Sequence, residues 1–341
     1  MSKRIFITGG TGFIGQKLAK SLANEGHEVV ALIRSKSKAK DLQHERISFV
    51  EGDLFSKEAL HEGMEGCNEV YHLAAFASVW AKDDTFERVN INGTLNILDI
   101  AKERGVKKTL VTSTAGVIGP AVDGPVNEDT PRKVDFFTPY ESSKYESELK
   151  IKEYVQNGQH VVIVNPTRVY GPGPLNVSNS VTKLVKQYIE GKWKFIPGDG
   201  MSTGNYVYVE DVINGHKLAM QNGRAGERYL LGGEDATYYE LFDTIAEIGG
   251  KKHKLYNMPL GAMLAFGKIQ LFMAEKFGRQ PMITPGWVRK YNYEWRVSSE
   301  KAKKELGYEI TPLKNGIEET VKVIQDCESR YQKEIEPKLV D

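Results

Sequence analysis

Cysteine and long apolar runs are both scarce in this sequence, and each scarcity argues against a class of protein. Only two cysteines occur among the 341 residues, Cys67 and Cys327, far apart and without C-x-x-C spacing. This pattern supports neither a disulfide framework nor a zinc site, so we predict no metal and a cytoplasmic location. No apolar run reaches the roughly 18 uncharged residues that a transmembrane helix needs. A secreted or integral membrane protein is therefore not expected.

An excess of one charge is also missing. The chain has 46 Lys and Arg residues against 45 Asp and Glu residues, for a formal net charge of +1. The sequence shows no block of basic residues that resembles the footprint of a nucleic-acid-binding protein. Nucleic acid is therefore not expected as a partner.

The first half of the chain contains a regular alternation of short apolar runs and longer amphipathic segments. Predicted strands cover residues 4–8, 28–33, 47–51, 69–73, 108–113 and 160–166, and predicted helices cover residues 17–24, 58–64, 85–104 and 139–156. Strands that alternate with helices indicate βαβ units. The predicted fold class is α/β, a doubly wound parallel sheet with helices on both faces. A smaller C-terminal lobe follows, because the alternation stops after residues 171–174 and the length exceeds one usual core.

A glycine-rich turn connects the first predicted strand to the first predicted helix. Its sequence, Thr8-Gly9-Gly10-Thr11-Gly12-Phe13-Ile14-Gly15, has GxxGxxG spacing rather than the more common GxGxxG. In this position glycines let the backbone approach a pyrophosphate at a helix N-terminus, whereas the alternative is an ordinary turn. The predicted contacts to the phosphates come from Gly9, Thr11, Gly12, Phe13, Ile14 and Gly15.

The end of the second predicted strand indicates which dinucleotide binds. A carboxylate there would favour NAD, but the sequence has Arg34 followed by Lys36 and Lys38. A guanidinium can bind the 2′-phosphate of NADP(H) through two hydrogen bonds. We therefore predict NADP(H), with Arg34 and Lys38 as contacts, and keep NAD(H) as the alternative cofactor. A solvated basic loop would give the same sequence.

A candidate proton-transfer site is formed by Tyr140 and Lys144 at the start of a predicted helix. Their spacing places both side chains on one helix face. A phenol has an ordinary pKa of about 10, and a nearby ammonium is expected to lower it. The preceding strand ends in Thr112-Ser113-Thr114, at the sheet edge where open α/β sheets bind ligands. Thr114 could donate a hydrogen bond to a reacting carbonyl, or these hydroxyls could only end a strand.

With these motifs in place, the chain resembles the extended short-chain dehydrogenase/reductases, also called the NAD-dependent epimerase/dehydratase family. The resemblance spans nearly the whole chain and includes its C-terminal signature at Val297–Ala302. The motifs that occur in family order are TGGTGFIG, GDL at 52–54, HLAA at 72–75, NINGT at 90–94, TSTAG at 112–116, YESSK at 140–144, NPTRVYGP at 165–172 and YVYVEDV at 206–212.

The resemblance implies a Rossmann fold and assigns roles to individual residues. Thr114, Tyr140 and Lys144 would be catalytic, and Lys144 would also bind the nicotinamide ribose. Further cofactor contacts would come from Asp53, Leu54, Leu73, Ala74, Ala75, Thr112, Pro166, Thr167 and Val169. Phe76, Thr114, Tyr140 and Arg168 would contact substrate, whereas Asn90 and Asp211 would be structural. The domains would be an NADP-binding domain at 1–170 with a return segment near 204–220, and a mainly substrate-binding lobe at 171–341.

Position 168, where this sequence differs from the nucleotide-sugar epimerases, indicates the class of substrate. Nucleotide-sugar epimerases usually have asparagine there, and the Asn-Pro-Thr sequence with Arg34 is more similar to the branch of dihydroflavonol reductases and 3β-hydroxysteroid dehydrogenases. We therefore expect a carbonyl reductase or alcohol dehydrogenase for an apolar small molecule. A nucleotide-sugar epimerase or dehydratase with tightly held NAD(P) is the alternative, since an arginine can bind a diphosphate. A non-catalytic NADP sensor would not need the complete Thr/Tyr/Lys set.

Two further expectations concern surfaces. The resemblance implies a homodimer, in which the helices at 85–104 and 139–156 pair with their copies. The apolar segment 259–273 is expected either to pack in the core of the small lobe or to form a flap that offers Met and Phe side chains to substrate. Docking on a membrane surface is a third interpretation, but Lys268 is the only charge in that segment and provides no basic face.

Overall fold

The computed structural model describes the backbone of residues 2–335 and the side chains of residues 2–326. The strands are β1 (Arg4–Thr8), β2 (Glu28–Ile33), β3 (Ile47–Glu51), β4 (Glu69–His72), β5 (Lys108–Thr112), β6 (Val161–Pro166), β7 (Arg168–Tyr170), β8 (Phe195–Pro197), β9 (Thr203–Tyr208), β10 (Arg228–Leu231), β11 (Glu234–Thr237) and β12 (Tyr256–Met258). The helices are α1 (Phe13–Asn24), α2 (Lys57–Gly63), α3 (Thr85–Glu87), α4 (Gly93–Glu103), α5 (Pro139–Gln156), α6 (Ser180–Ile189), α7 (Val209–Asn222), α8 (Tyr238–Gly249), α9 (Leu260–Phe277), α10 (Pro285–Arg289), α11 (Glu300–Leu306) and α12 (Leu313–Ile335).

The main sheet has seven strands in the order β10-β6-β5-β4-β1-β2-β3. Each neighbouring pair is parallel. Its strands are apolar and buried, as expected of a sheet covered on both faces, with Ile5, Phe6 and Ile7 excluded from solvent. Helices α1, α7 and α11 contribute to the core on one face, and α2 and α4 contribute to the core on the other. The predicted α/β Rossmann fold is confirmed.

The strand order reverses between β1 and β4, which are neighbours in the sheet. The connections on either side of this point lead in opposite directions, so a crevice opens at the carboxyl ends of the two strands. The glycine turn after β1 and the Leu73–Phe76 segment after β4 both lie at that edge. The fold therefore brings sequence motifs more than 60 residues apart to one place.

A second core lies among α6, α8, α12 and the smaller sheets. Strands β11, β9 and β7 form a three-stranded sheet, and β12 pairs with β8. The chain returns to the main sheet through α7 and β10, which ends at Leu231, and again through α11. The return is thus longer than the segment 204–220 that the sequence predicted.

The predicted helix at 85–104 is interrupted. A π-helical turn, Arg88–Asn92, separates α3 from α4. Within this turn the buried Asn90 accepts a hydrogen bond from the Phe76 N–H at 2.7 Å and donates one to Ser143 Oγ at 3.0 Å. Such turns often occur at functional sites, and this one fixes the segment after β4 against α5.

Helix α9 begins at Leu260, within the segment 259–273, and extends to Phe277, but it is not a core helix. Gly267 and Ala274 are its buried residues, and a Cβ at Gly267 would lie 3.2 Å from the Pro285 nitrogen at the start of α10. The interpretation of this segment as a packed core helix is wrong, because the helix contacts the protein along one narrow side. Among the described residues, no helix is both long and apolar enough to cross a bilayer.

Candidate active site

The glycine turn is held against the segment that follows β4. Gly9 has φ +73°, and a Cβ there would lie 2.7 Å from the backbone nitrogen of Ala74. A Cβ at Gly15 would lie 2.2 Å from the carbonyl oxygen of Gly9, so α1 begins directly against the turn. Gly12 is the N-cap of α1 and provides no side-chain cap. The first N–H groups of α1 are thus available to an anion, and the turn fits the pyrophosphate of a dinucleotide.

The residues of the turn differ in what they can offer a cofactor. Thr11 is exposed, and Ile14 is partly buried. Phe13 is buried in the core, where a Cβ at Gly173 would contact its ring. The predicted Phe13 contact to cofactor could therefore come only from its backbone.

Arg34 follows β2 directly, and its side chain is exposed, as is that of Lys38 in the next turn. Strand β2 is the immediate neighbour of β1. Because the two strands are parallel, their carboxyl ends lie at the same edge of the sheet. Arg34 and the glycine turn are therefore both at that edge.

Asp53 and Leu54 follow β3 at the same edge. The Asp53 carboxylate accepts hydrogen bonds from the Phe55 N–H at 2.8 Å and from Ser56 Oγ at 2.9 Å. The Phe55 bond is the main reason that the pKa of Asp53 is lowered. Leu54 is buried, and a Cβ at Gly93 would lie 2.7 Å from its side chain. Both side chains thus stabilise the loop after β3. Their contact with an adenine stays a prediction.

Sequence reasoning assigned no role to His72, which anchors the end of β4. Its Nδ1 lies 2.7 Å from the Thr8 hydroxyl, and its Nε2 lies 3.0 Å from the Thr94 hydroxyl. Burial, and then the charge of Lys144, lowers the pKa of His72 to about 3, so the ring is neutral at physiological pH. The Thr8 hydroxyl also accepts a hydrogen bond from the Ala74 N–H at 3.2 Å. This network sets the position of Leu73, Ala74 and Ala75, with the partly buried Phe76 after them.

Tyr140 and Lys144 lie one turn apart near the start of α5. Lys144 is buried, and its Nζ has no hydrogen-bond partner among the described residues. Burial lowers the pKa of Lys144 to about 8, although the charge of Glu148 opposes the shift. A buried ammonium without acceptors is costly, and the hydroxyls of a ribose would supply them. This lysine therefore fits a dinucleotide.

The pKa of Tyr140 shifts in the direction opposite to the prediction. Burial, and then the charge of Glu141, raises it to about 12. The expectation that Lys144 lowers it is wrong for the protein described here, because both contributions, desolvation of the phenolate and the negative charge of Glu141, raise the pKa. The phenol is protonated at neutral pH and is suited to donate a proton.

The two candidate threonines after β5 have different environments. Thr112 Oγ1 lies 2.9 Å from His216 Nε2 and is thereby engaged with α7. Thr114 is partly exposed, and its Oγ1 accepts a hydrogen bond from the Gly116 N–H at 3.2 Å. This bond leaves the hydroxyl proton of Thr114 free to be donated to a substrate. Thr112 instead links β5 to α7 through His216.

Arg168 enters the smaller lobe from β7. Its Nη1 donates to the Tyr206 hydroxyl at 3.3 Å, and its guanidinium lies 5.6 Å from the centre of the Tyr206 ring. Tyr238 and Tyr291 also interact with it electrostatically. Thr167, by contrast, donates to Asn205 Oδ1 at 2.7 Å, and Pro166 and Val169 flank these two residues in β6 and β7. Arg168 thus presents a cation within a group of tyrosines.

Glu141 forms an ionic cluster next to Tyr140 that sequence reasoning missed. This buried carboxylate accepts hydrogen bonds from Lys290 Nζ at 2.5 Å and from the Phe137 N–H at 3.1 Å. Arg132 Nη2 lies 3.4 Å away. The spacing of Thr138 and Glu141 matches a capping box, which would have predicted only a helix cap. Of the actual partners, Lys290 comes from a distant segment and ties the start of α5 to the segment after α10.

A cavity of about 620 Å³ lies beside this cluster. It is bounded by α3, the first turns of α5, the flank of α9 and the start of α10. Its apolar lining includes Val79, Trp80, Phe86, Ile91, Phe137 and Leu271. Tyr140 is not in that lining, but its neighbours Pro139 and Ser142 are. The cavity therefore adjoins the candidate proton donor.

The fold and the cofactor-binding geometry define an NAD(P)-dependent enzyme. The chain matches the NAD dependent epimerase/dehydratase family over residues 5–232 and belongs to that family. It is 32% identical, over 96% of both chains, to a Synechocystis protein that carries the provisional name dihydroflavonol 4-reductase. It is 30% identical to sterol demethylase protein B of Methylococcus capsulatus, over 88% of this chain and 92% of that one.

A similar solved structure is that of UDP-glucose 4-epimerase from Thermotoga maritima with UDP-glucose, at a TM-score of 0.79 and 26% identity, over 95% of this chain and 99% of that one. Reductases, sterol-modifying proteins and epimerases thus share this architecture. The family and the oxidoreductase class predicted from the motifs are confirmed, and the substrate has to be argued from the site.

Proposed function

We propose that this protein is an NADP(H)-dependent oxidoreductase that reduces the carbonyl group of an apolar small molecule or oxidises the corresponding alcohol. The observation that carries the proposal is the pair of Tyr140 and Lys144 at the carboxyl edge of the sheet, with a buried ammonium that has no hydrogen-bond partner among the described residues. When bound, NADPH supplies a hydride. The residues of the chain then have to bind the carbonyl, deliver one proton to its oxygen and stabilise the phenolate that remains.

Each of the three candidate catalytic residues has one task in this scheme. Thr114 donates a hydrogen bond to the carbonyl oxygen and orients it. The Tyr140 hydroxyl would give its proton to the same oxygen, so that the reduced product is an alcohol. The Lys144 ammonium holds the ribose hydroxyls and lies one turn from the phenolate that forms. A phenol with a pKa of about 12 favours this direction, because it remains protonated at neutral pH.

The lining of the cavity supports a substrate without a nucleotide. About half of its lining residues are aliphatic or aromatic, which suits a small apolar ligand, and the rest include the carboxylates of Asp83, Asp84, Glu87 and Glu146. The similarity to relatives named for dihydroflavonol and for sterols supports the same substrate class. The cofactor preference rests on the exposed Arg34 after β2, where the sequence offers no acid to a 2′-hydroxyl.

A second candidate function, a nucleotide-sugar epimerase or dehydratase, is favoured by Arg168. Its guanidinium lies among phenols and makes no ion pair with a carboxylate among the described residues, so it could bind a diphosphate. The solved epimerase structures support the same interpretation. Under this alternative the cofactor would stay bound and return unchanged in each cycle.

One experiment separates the two functions. The purified protein is incubated with NADPH and ketones of rising chain or ring size, and separately with common nucleotide sugars. Oxidation of NADPH that becomes more efficient with apolar bulk is the expected result. Conversion of a nucleotide sugar without net cofactor consumption would instead establish the epimerase.

A further inference from the structure

Helix α9 turns a continuous apolar face to solvent. Residues that recur every three or four positions share one side of a helix, and here that side points away from Gly267 and Ala274. The face, called the α9 outer face below, consists of the exposed Ala262, Ala265, Phe266, Ile269, Phe272 and Phe277 and the partly buried Met273, with Lys276 as the one charged residue near its C-terminal end. Phe266 is 45% exposed, Ile269 60% and Phe272 55%. A contiguous apolar patch of this kind indicates an interaction surface rather than chance exposure.

The chain segment that contains α9 is basic. Residues 250–283 contain six basic residues and one acidic residue, Glu275, for a net charge of +5 in a chain whose total is +1. Of the six, Lys252 pairs with Asp243 from α8. Lys254 lies 5.2 Å from the centre of the exposed Tyr256 ring, on the strand that leads into α9. Three of the six precede residues 259–273 and two follow them, whereas Lys268 is the only charge within that segment.

The charge distribution distinguishes among the occupants that could cover this face. A second copy of the chain would bring two segments of net charge +5 together, which disfavours self-association through α9. A flap over substrate would have to turn this side inward, yet Lys268 and Leu271 are the α9 residues that line the cavity. An anionic lipid surface fits both the exposed apolar side chains and the positive charge of the segment. The apolar side chains would enter the acyl boundary while the amines remain among the head groups.

We propose that the α9 outer face docks on the surface of a bilayer that contains anionic lipids. The helix lies in the plane of the interface without crossing it. If the proposed function holds, the bilayer is also the source of the apolar substrate, because the cavity opens along the flank of the same helix. The docking itself does not depend on that function.

The test is flotation with vesicles, without cofactor or substrate. Wild-type protein should float with phosphatidylcholine vesicles that contain phosphatidylglycerol and less with pure phosphatidylcholine. The triple variant Phe266→Ser, Ile269→Ser, Phe272→Ser should bind at least about 100-fold more weakly, given the apolar area of three side chains. The matched control is Val122→Ser, an equally exposed apolar residue outside α9, which should bind like wild type.

A second pair of variants tests the electrostatic contribution to lipid binding separately from the apolar contribution. Lys276→Glu should weaken binding to the anionic vesicles by roughly tenfold or more, and Lys57→Glu on α2 carries the same charge change without that loss. Equal flotation of the triple variant and wild type would overturn the proposal. Failure of the wild-type protein to bind anionic vesicles would also overturn it. This outcome includes a protein that self-associates through α9 or that binds only an acidic protein.

The proposed function is assessed separately, with a water-soluble ketone. The triple variant should retain wild-type turnover on that ketone, because the outer face touches none of the candidate catalytic residues. Loss of flotation with unchanged turnover supports docking. Absence of turnover in wild type refutes the proposed function and leaves the vesicle result to decide docking.

Discussion

Tyr140 and Lys144 illustrate how burial controls the chemistry of single residues in this site. Both side chains lie on the same face of α5, and burial disfavours the charged form of each. The pKa of the phenol rises to about 12 and that of the ammonium falls to about 8. At neutral pH the pair therefore consists of a protonated donor and a cation close to its own titration.

Replacement of Tyr140 by phenylalanine tests the proton donor. We expect Tyr140→Phe to lower ketone turnover by ~100-fold to 10,000-fold, because a positioned general acid contributes that much. Binding of NADPH, followed by fluorescence titration, should change little since the ring remains. Turnover within a few-fold of wild type would refute the assignment of Tyr140.

The lowered pKa of Lys144 predicts a pH dependence. As pH rises through about 8, the ammonium loses its proton, and the charge that stabilises the Tyr140 phenolate is lost with it. The rate of carbonyl reduction should therefore fall above about pH 8. Lys144→Arg, whose guanidinium remains charged, should lose that alkaline limb even if its overall rate is lower. A pH profile with the same limb in both proteins would contradict the role of Lys144.

Arg34 carries the prediction of cofactor preference. A charge-assisted hydrogen bond to the 2′-phosphate contributes about 1.5 to 3 kcal/mol. Arg34→Ala should therefore reduce the ratio of kcat/KM for NADPH over NADH by roughly tenfold or more. Arg46→Ala is a useful control, because Arg46 is a surface residue paired with Glu28 at the other end of β2. A wild-type preference for NADH would show that the prediction is wrong.

At the scale of secondary-structure elements, the turn between β1 and α1 depends on close backbone approach. Gly9 and Gly26 both have positive φ, +73° and +89°. A Cβ at Gly9 would collide with the backbone after β4, whereas a Cβ at Gly26 would meet nothing within 4 Å. The two glycines therefore share a conformational requirement and differ in crowding.

Alanine at these two glycines separates strain from collision. Gly26→Ala should lower the free energy of unfolding by about 1 to 2 kcal/mol, the cost of a left-handed conformation with a Cβ. Gly9→Ala should lower it further and should also weaken NADPH binding, because the turn must move away from Ala74. Urea denaturation and cofactor titration measure the two effects. Equal losses in both variants would contradict the close approach.

At the scale of the whole molecule, the family resemblance predicts a dimer through α4 and α5. These helices lie side by side, and Tyr154 of α5 donates to Asp99 of α4 at 2.8 Å. Leu149 on the same helix is 42% exposed, which gives the pair an apolar contact to bury. Light scattering at micromolar concentration should give twice the 38.2 kDa mass of one chain. Leu149→Asp should lower that mass toward the monomer, and a monomeric wild type would refute the dimer.

The sequence by itself determined the local elements and their class. Alternating apolar and amphipathic segments predicted β2, β3 and α5 with the bounds that the structure has. The glycine turn, Tyr140 and Lys144 could be located because their chemistry depends on spacing within one or two turns. Such short-range patterns depend only on residues that are close together in the sequence.

The tertiary structure alone decided which distant groups meet and which are desolvated. Glu141 contacts Lys290, burial keeps His72 neutral, and Asn90 in the π-helical turn contacts Phe76. The direction of the Tyr140 pKa and the solvent exposure of α9 were likewise set by packing. The physical reason is that burial and long-range contact are properties of the assembled layers, and no window of the sequence contains both partners.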